Sequence, residues 1–214
     1  VWEQPVYGPI SIKENIEVGR RVISIKASSG IPGNPTAFYT LIKGSTEQTN
    51  LRDTFYLSQR TDNVETFADI YVNYPLDYER IQEYNLTVRV ENNGIQQLAS
   101  EATVYIIVED VNDETPIFAN KEHATVLEGM PPATFVTKVE AVDQDGTYPN
   151  NKVYYEIVSK DGTNNFFTID RESGDIFTKI EFDRELQQSY TIEVKAYDGA
   201  PSSRPKTNVT EMNS

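Results

Sequence analysis

Tyr84-x-Leu86-x-Val88-x-Val90 alternates apolar and polar positions, and Tyr190-x-Ile192-x-Val194-x-Ala196 repeats the pattern 106 residues later (190 − 84). Period-two alternation marks a strand with one face in a core and the other in water, because successive side chains point to opposite faces. Just upstream, Leu76-Asp77-Tyr78-Glu79 meets Phe182-Asp183-Arg184-Glu185 at the same offset (183 − 77 = 106). Nearer the start of each copy, Glu14 aligns with Glu128 and Ala27 with Ala141, both at 114. Two constant offsets separated by one length change identify a tandem repeat of about 110 residues.

Working outward, short runs rich in Val, Ile, Tyr, Phe and Thr read as strands: Arg21–Ala27, Phe38–Ile42, Asp69–Val72, Thr103–Val108, Lys152–Ile157 and Ile176–Ile180. Gly30, Gly33, Gly94, Gly146, Gly162 and Gly174 punctuate them, and no stretch carries a long helical period. The fold class is all-β, with two tandem β-sandwiches over residues 1–112 and 113–214. No apolar closing strand is read in Thr207–Ser214, and Val1–Pro5 is not a signal peptide, so a piece of a longer chain is expected.

Composition excludes several function classes. Lys and Arg number 19 against 33 Asp and Glu, a net charge of −14, which lacks the positive field that nucleic acid or anionic lipid requires. Cysteine is absent, which removes disulfides, thiolate zinc sites and thiol nucleophiles. The one histidine, His123, is read as a surface residue in a polar stretch. No apolar run reaches membrane length.

The chemistry sits at the boundary between the copies. Glu109-Asp110-Val111-Asn112-Asp113-Glu114 packs four carboxylates and one amide into six residues. Asp143-Gln144-Asp145-Gly146 is a second acidic turn, and Asp77 with Glu79 adds a pair. Each alone reads as a solvated loop. Together, hard oxygen donors with a nearby Asn, a Gly-containing turn and no soft ligands describe a calcium site. Like charges about 4 Å apart repel by about 1 kcal/mol even in water, so such a group stays expanded unless a cation neutralises it.

In order, Glu14-Asn15, Asp77-Tyr78-Glu79, Asp110-Val111-Asn112-Asp113-Glu114, Asp143-Gln144-Asp145 and Ala196-Tyr197-Asp198 resemble the motifs of extracellular cadherin repeats across the whole chain. The chain is similar to the long, multi-repeat, neural-type members of invertebrates. The resemblance implies two seven-stranded Greek-key sandwiches joined end to end, with about three calcium ions at the linker. Glu14, Asp77, Glu79 and Asp113 would hold the first ion. Glu14, Glu79, Asp110, Asp113 and Asp145, with the Val111 carbonyl, would share the second. Asn112, Asp143, Asp145 and Asp198 would hold the third, helped by the carbonyls of Glu114 and Asn150. Glu114 stands where the family usually has Asn, a position that acts through its carbonyl. Lys13-Glu14-Asn15 and Leu127-Glu128-Gly129 depart from the family pattern around each Glu.

Glu128, Asp183 and Glu185 would form a partial lower site in the second repeat. The first repeat lacks the upper ligands: Asp143 maps to Ser29, Asp145 to Ile31 and Asp198 to Asn92. A calcium-free joint above it is therefore expected, with Trp2 packed there rather than serving as an adhesive anchor. Asn85-Leu86-Thr87 and Asn208-Val209-Thr210 are N-glycosylation sequons. The implied function is a calcium-dependent cell–cell adhesion receptor segment, not an enzyme. It would be extracellular and belong to a single-pass plasma-membrane parent. Its partners would be other cadherin ectodomains, homophilic or heterophilic, and adjacent repeats. The alternative from another class is a carbohydrate-binding β-sandwich with structural calcium, whose cleft would need Tyr148, Tyr154 and Tyr155. A spacer with no binding surface of its own is a third reading. The pairs Asp77/Glu79 and Asp183/Glu185 recur at one place in each repeat, which fits duplication better than a glycosidase cleft.

Overall fold

The computed structural model describes residues 1–28, 37–62, 65–92, 98–158, 162, 165–203 and 209–212. The chain is all-β, and it divides into two compact units, Val1–Asp110 and Val111–Ser214. The division falls two residues before the boundary read from the sequence, immediately after the last strand of the first unit.

The first unit contains β1 (Val6–Lys13), β2 (Arg21–Ile25), β3 (Ala37–Ile42), β4 (Phe55–Asp62), β5 (Glu65–Val72), β6 (Glu83–Asn92) and β7 (Ala99–Glu109). One sheet runs β1-β7-β6-β3 and the other β2-β5-β4, so the chain changes sheet four times, in Greek-key fashion. The alternation at 84–90 resolves as expected. Tyr84, Leu86, Val88 and Val90 are buried, while Asn85 faces out. Leu86 lies opposite Val104 and Tyr84 opposite Ile106, which stacks the inward rows of β6 and β7. Phe55, Ile70, Val72 and Val108 complete a core in which each such side chain contributes roughly 1.5–3 kcal/mol by leaving water. β1 runs parallel to β7 and brings Lys13 opposite Glu109, which delivers Glu14 to the end of the sandwich where β7 stops.

Trp2 corrects an expectation. It packs into the core of its own unit, 7% exposed, bridged to Ala27 and with its ring 5.6 Å from Tyr39 and 6.2 Å from Tyr7. A large aromatic that finds two rings and a bridging backbone at the sheet edge has no need of a joint above.

The second unit contains β8 (Ile117–Phe118), β9 (Phe135–Lys138), β10 (Ala141–Val142), β11 (Val153–Ile157), β12 (Phe167–Ile169), β13 (Asp175–Thr178), β14 (Val194–Asp198) and β15 (Val209–Met212). The ladders are β10-β8, β11-β14-β15 and β12-β13-β9. Val139, Ala141, Tyr155, Phe167, Ile176, Val194 and Ala196 form its core. Gly174 makes the β12–β13 turn at φ +76°, where a Cβ would stand 2.3 Å from the Val139 carbonyl oxygen.

Two sequence expectations change here. Residues 207–214 do contain a closing strand: β15 pairs antiparallel with β14, from Val194↔Met212 to Tyr197↔Val209. The strand read from Tyr190 starts only at Val194, because the β14 ladders end at Ile157↔Val194 and Val194↔Met212. Tyr190 instead joins an aromatic cluster, 4.8 Å from Phe182 and 5.4 Å from Phe166.

Candidate metal centre

At one end of the first unit, the backbone N–H of Glu14 donates to the Glu109 carbonyl (3.1 Å), which sets Glu14 alongside the start of the acidic linker. The buried Glu14 carboxylate accepts the N–H of Tyr78 through Oε2 at 2.6 Å, so it is drawn against the Asp77–Glu79 turn. That turn is closed by the Arg80 N–H on Asp77 Oδ1 (2.9 Å) and the Ile81 N–H on the Asp77 carbonyl (2.9 Å). Strand pairing and one side-chain bond thus gather Glu14, Asp77, Glu79 and Asp110 at the same end.

The second unit repeats the device. The Arg184 N–H donates to Glu128 Oε2 (3.1 Å), at the positions that correspond to Tyr78 and Glu14. One carboxylate oxygen from each of Glu128, Asp183 and Glu185 lies within 4.8 Å of the others, and all three residues are exposed. The three carboxylates read from the sequence as a partial lower site therefore lie together.

At the other end of the second unit the acidic residues are buried. Asp143, Asp145, Asp198 and Asn112 are 7%, 3%, 6% and 4% exposed, low enough that water cannot solvate them freely. Asp143 Oδ1 accepts the Asp145 N–H (3.0 Å), and Asp145 Oδ1 accepts the Glu114 N–H (3.1 Å) and, at 3.4 Å, that of Asp113. The Asn112 amide donates to the Ala200 carbonyl (2.8 Å), and Ser203 holds the Asn112 carbonyl through N–H (2.8 Å) and Oγ (2.9 Å). Ala200 and Ser203 carry no signal in the sequence; they matter because the chain after β14 folds back over the linker. Val111 is buried beside them. Asn150 sits half-buried in the turn before β11, outside the bonds that tie Asn112–Glu114 to Asp143 and Asp145.

Four buried oxygens in this group, Asn112 Oδ1, Asp143 Oδ2 and both Oδ atoms of Asp198, have no hydrogen-bond partner. Burial pushes the Asp143 carboxyl up, with the Asp145 N–H opposing and the charges of Asp198 and Glu114 adding to the rise. Burial likewise pushes Asp198 up, offset in part by the Asn112 amide and by the backbone N–H groups of Asp198 and Ala200, which approach it without forming a well-aligned bond. No ion pair reaches Asp143 or Asp198 among the described residues.

Asp69 in the first unit supplies the contrast. Burial would raise it too, yet it is held below the usual carboxylate range by the Ser24 hydroxyl and by Arg60 (Nε 3.0 Å) and Arg21 (Nη1 3.5 Å). Asp69 is thus a buried carboxylate provided with cations by neighbouring strands. Asp143 and Asp198 have none, and an unpaired buried charge is costly. The donors are all oxygen, from carboxylate, amide and backbone groups, which suits a hard divalent cation and calcium in particular, whose coordination number is high and geometry flexible.

The first unit differs at the matching end. Asn92, the counterpart of Asp198, closes the β6–β7 hairpin: its Oδ1 accepts the Leu98 N–H (2.8 Å). Ser29 and Ile31, the counterparts of Asp143 and Asp145, lie outside the described residues, as does the Asn208 sequon. Asn85 is exposed on β6, as a sugar acceptor must be. His123 is exposed. Tyr148, Tyr154 and Tyr155 share no cleft. Tyr155 is buried with its OH accepting the Ala141 N–H (2.9 Å), Tyr154 lies on the outer face 5.8 Å from the Tyr197 ring, and Tyr148 is solvent-exposed.

Comparison with known proteins gives a consistent picture. The family profile described as "Cadherin domain" matches residues 9–109 and 122–213. The chain is 63% identical over 210 residues to Neural-cadherin of Drosophila melanogaster, covering 97% of this chain and 7% of that protein. It is 34% identical to human Protocadherin-23, covering 92% of this chain and 6% of that protein. Mouse Cadherin-23 EC22-24 superimposes with a TM-score of 0.77 at 26% identity, over 98% of this chain and 62% of that one. Mouse clustered PcdhgC3 EC1-3 gives 0.81 at 23% identity, over 98% and 65%, a likeness of fold. The chain spans less than a tenth of the length of these curated relatives.

Proposed function

Because the chain belongs to the cadherin family, we propose that it is a segment of a calcium-dependent adhesion receptor whose ectodomain lies outside the cell on a membrane-anchored parent. Calcium would be the cross-link. Residues of the first repeat (Glu14, Asp77, Glu79, Asp110) and of the second (Asn112, Asp113, Asp143, Asp145, Asp198, with the carbonyls of Val111, Glu114 and Asn150) would share about three ions. Binding free energy would thereby become stiffness of the linker. The observation that carries this reading is the set of buried oxygens without partners on Asn112, Asp143 and Asp198. The cation's role is electrostatic: it neutralises carboxylates that the fold has already buried. Weak extracellular sites of this kind bind calcium at roughly 10⁻⁴–10⁻³ M, within reach of extracellular concentrations. The proposed activity is mechanical rather than catalytic. The carbohydrate-binding alternative loses its cleft, since Tyr154 and Tyr155 point to opposite faces of β11.

The test is small-angle scattering of residues 1–214 during a calcium titration, beside Asp113→Ala and Asp145→Ala. The wild-type chain is expected to lose a defined shape on chelation, and the variants to behave as chelated at all calcium concentrations while remaining folded. Identical profiles with calcium and with chelator would refute the proposal.

A further inference from the structure

The Asp77–Glu79 turn carries a cation of its own beside the carboxylates read as calcium ligands. Arg80 follows Glu79 directly, and its backbone N–H closes the turn on Asp77 Oδ1. Its side chain is engaged elsewhere. Arg80 Nη2 donates to Glu47 Oε1 at 2.5 Å, and Glu47 opens the 3₁₀ turn Glu47–Thr49 between β3 and β4. No ion pair reaches Asp77 among the described residues. Yet Glu47, Asp77 and Arg80 line one cleft of about 330 Å³, together with Arg52 and Tyr84, so the arginine has a carboxylate of the turn within the same space.

The anchor is fixed in place. Asn50, at the end of the 3₁₀ turn, is buried, accepts the Phe55 N–H through Oδ1 (2.9 Å) and donates to the Phe55 carbonyl (3.0 Å). Phe55 is a core residue at the start of β4, so the turn is tied to the sandwich. The Gly44 N–H donates to the Thr49 carbonyl (2.8 Å) and closes the other side. Arg52 Nε bonds the same Glu47 oxygen at 2.5 Å. The Arg80 hydrogen bond, with Arg52 behind it, holds the Glu47 carboxyl below the usual carboxylate range against partial burial.

Arg80 is the mobile partner: its side chain is 53% exposed against 26% for Glu47. An arginine stays protonated at any working pH and matches a carboxylate with a fork of donors. Asp69 shows the outcome in this same unit, where Arg21 and Arg60 settle on a carboxylate and act as its cations. An unanchored Arg80 would do the same to the Asp77–Glu79 turn, and would compete with any divalent ion for it.

We propose that Glu47 is a positioning residue for the calcium turn, which holds the Arg80 guanidinium on the β3–β4 connection so that it does not serve as the internal cation of Asp77 and Glu79. The inference deepens the calcium reading and rests on it. It assigns the affinity of this end of the first unit to a residue that donates no ligand.

Titration calorimetry of residues 1–214 with calcium, beside melting in chelator, tests it. Glu47→Gln should raise the calcium dissociation constant by about fivefold, the upper size of an exposed charge pair. Its melting in chelator should stay within about 5 °C of wild type. Asp53→Asn removes a carboxylate from the same connection, where it pairs with Lys43 at 2.6 Å, and should leave the dissociation constant within about twofold. Glu47→Gln combined with Arg80→Gln should return to within about twofold of wild type, because the competitor is gone. A double variant as weak as Glu47→Gln would make the link a mechanical brace and overturn the proposal. So would a Glu47→Gln that melts lower in chelator and binds calcium as wild type does. If Glu47→Gln does not fold, Arg80→Gln decides: binding at least as tight as wild type supports the competitor role, and weaker binding refutes it. A wild-type chain that takes up no calcium removes the calcium reading itself, whereas equal binding by wild type and Glu47→Gln removes this inference alone.

Discussion

The effect of Asp198→Asn on stability should depend on calcium. Without metal, Asp198 is a buried carboxylate at the end of β14 whose charge bears on that of Asp143, and among the described residues no ion pair reaches either. Two unit charges about 6 Å apart at an effective dielectric of about 20 repel by roughly 3 kcal/mol. Removing one charge while keeping the shape should stabilise the metal-free second repeat by about 1–3 kcal/mol, the lower figure allowing for solvent and relaxation. For a repeat of this size, each kcal/mol moves the melting midpoint by about 4–8 °C, so a rise of at least about 5 °C is expected in chelator. With about 2 mM calcium and a dissociation constant of 10⁻⁴–10⁻³ M, each ion stabilises the wild type by about 0.6–1.8 kcal/mol. The variant forfeits that gain for at least one ion, so its calcium-induced rise should be smaller than that of wild type by about 2–14 °C. Scanning calorimetry of both proteins in chelator and in calcium reads all four midpoints. If Asp198→Asn lowers the midpoint equally in both buffers, the carboxylate is a structural group of the fold and the cation argument fails.

Acid stability should split between the units in chelator. Asp69 has a depressed value, so its contribution is present above the ordinary aspartate range near pH 3.9 and is lost as pH falls through its folded value. Asp143 and Asp198 have raised values, so their contribution is present below the ordinary range and is lost as pH rises through their folded values. Denaturant midpoints from pH 3 to 7 should therefore move in opposite directions for the two transitions, and parallel curves would contradict the assignment. Gly174→Ala forces a left-handed residue with a side chain, costing about 1–2 kcal/mol, and drives Cβ against the Val139 carbonyl. A total loss of at least about 2 kcal/mol in the second unit alone is expected by denaturant titration. Trp2, the single tryptophan, should emit as a buried indole and resist acrylamide in the monomer, and Trp2→Ala should cost the first unit about 2–4 kcal/mol. Solvent-like emission from the folded chain would show that Trp2 lies outside the core.

The repeat and its strands were legible because burial on one face imposes alternation. Leu86, Val88 and Val90 could be assigned to the core from residue type and spacing alone. Strand limits were less legible, because a strand exists only where a partner runs beside it. Tyr190 and Ile192 alternate properly yet lie beyond the β14 ladders, and Val209–Met212 is a strand because it finds β14, although the residues around it are polar. Trp2 was misjudged for the same reason: nothing near it in sequence announces Tyr39, which reaches it through the pairing of other strands. The acidic residues at each end were legible by type and order. Their burial was not, since it depends on Ala200 and Ser203 returning across Asn112.

Asp69 and Asp198 together explain why the two repeats diverge. Both stand at strand positions, both are almost fully buried, and both would be driven toward protonation by burial alone. At Asp69 the first unit answers with Arg21 and Arg60 from neighbouring strands, so that charge is balanced by covalently attached cations at any calcium concentration. At the site matching Asp198 it places Asn92, which needs no cation and bonds Leu98 instead. The second unit keeps three acidic side chains together and supplies no basic group to Asp143 or Asp198 among its described residues. A neutralising charge that comes from the protein makes a module independent of its surroundings. One that must come from solution makes the stability of that end a function of free calcium, with the dependence set by RT ln(1 + [Ca]/Kd) for each ion. The same substitution in reverse should transfer the property. Asp198→Asn brings this end of the second unit closer to the Asn92 arrangement at the matching end of the first, whereas Asn92→Asp alone should only destabilise the first. That variant would bury a charge without its partners and break the bond from Leu98, at a cost of about 1–3 kcal/mol that added calcium does not recover. Recovery of Asn92→Asp by calcium would mean that one carboxylate is enough to build such a site, and the contrast drawn here between the two units would not stand.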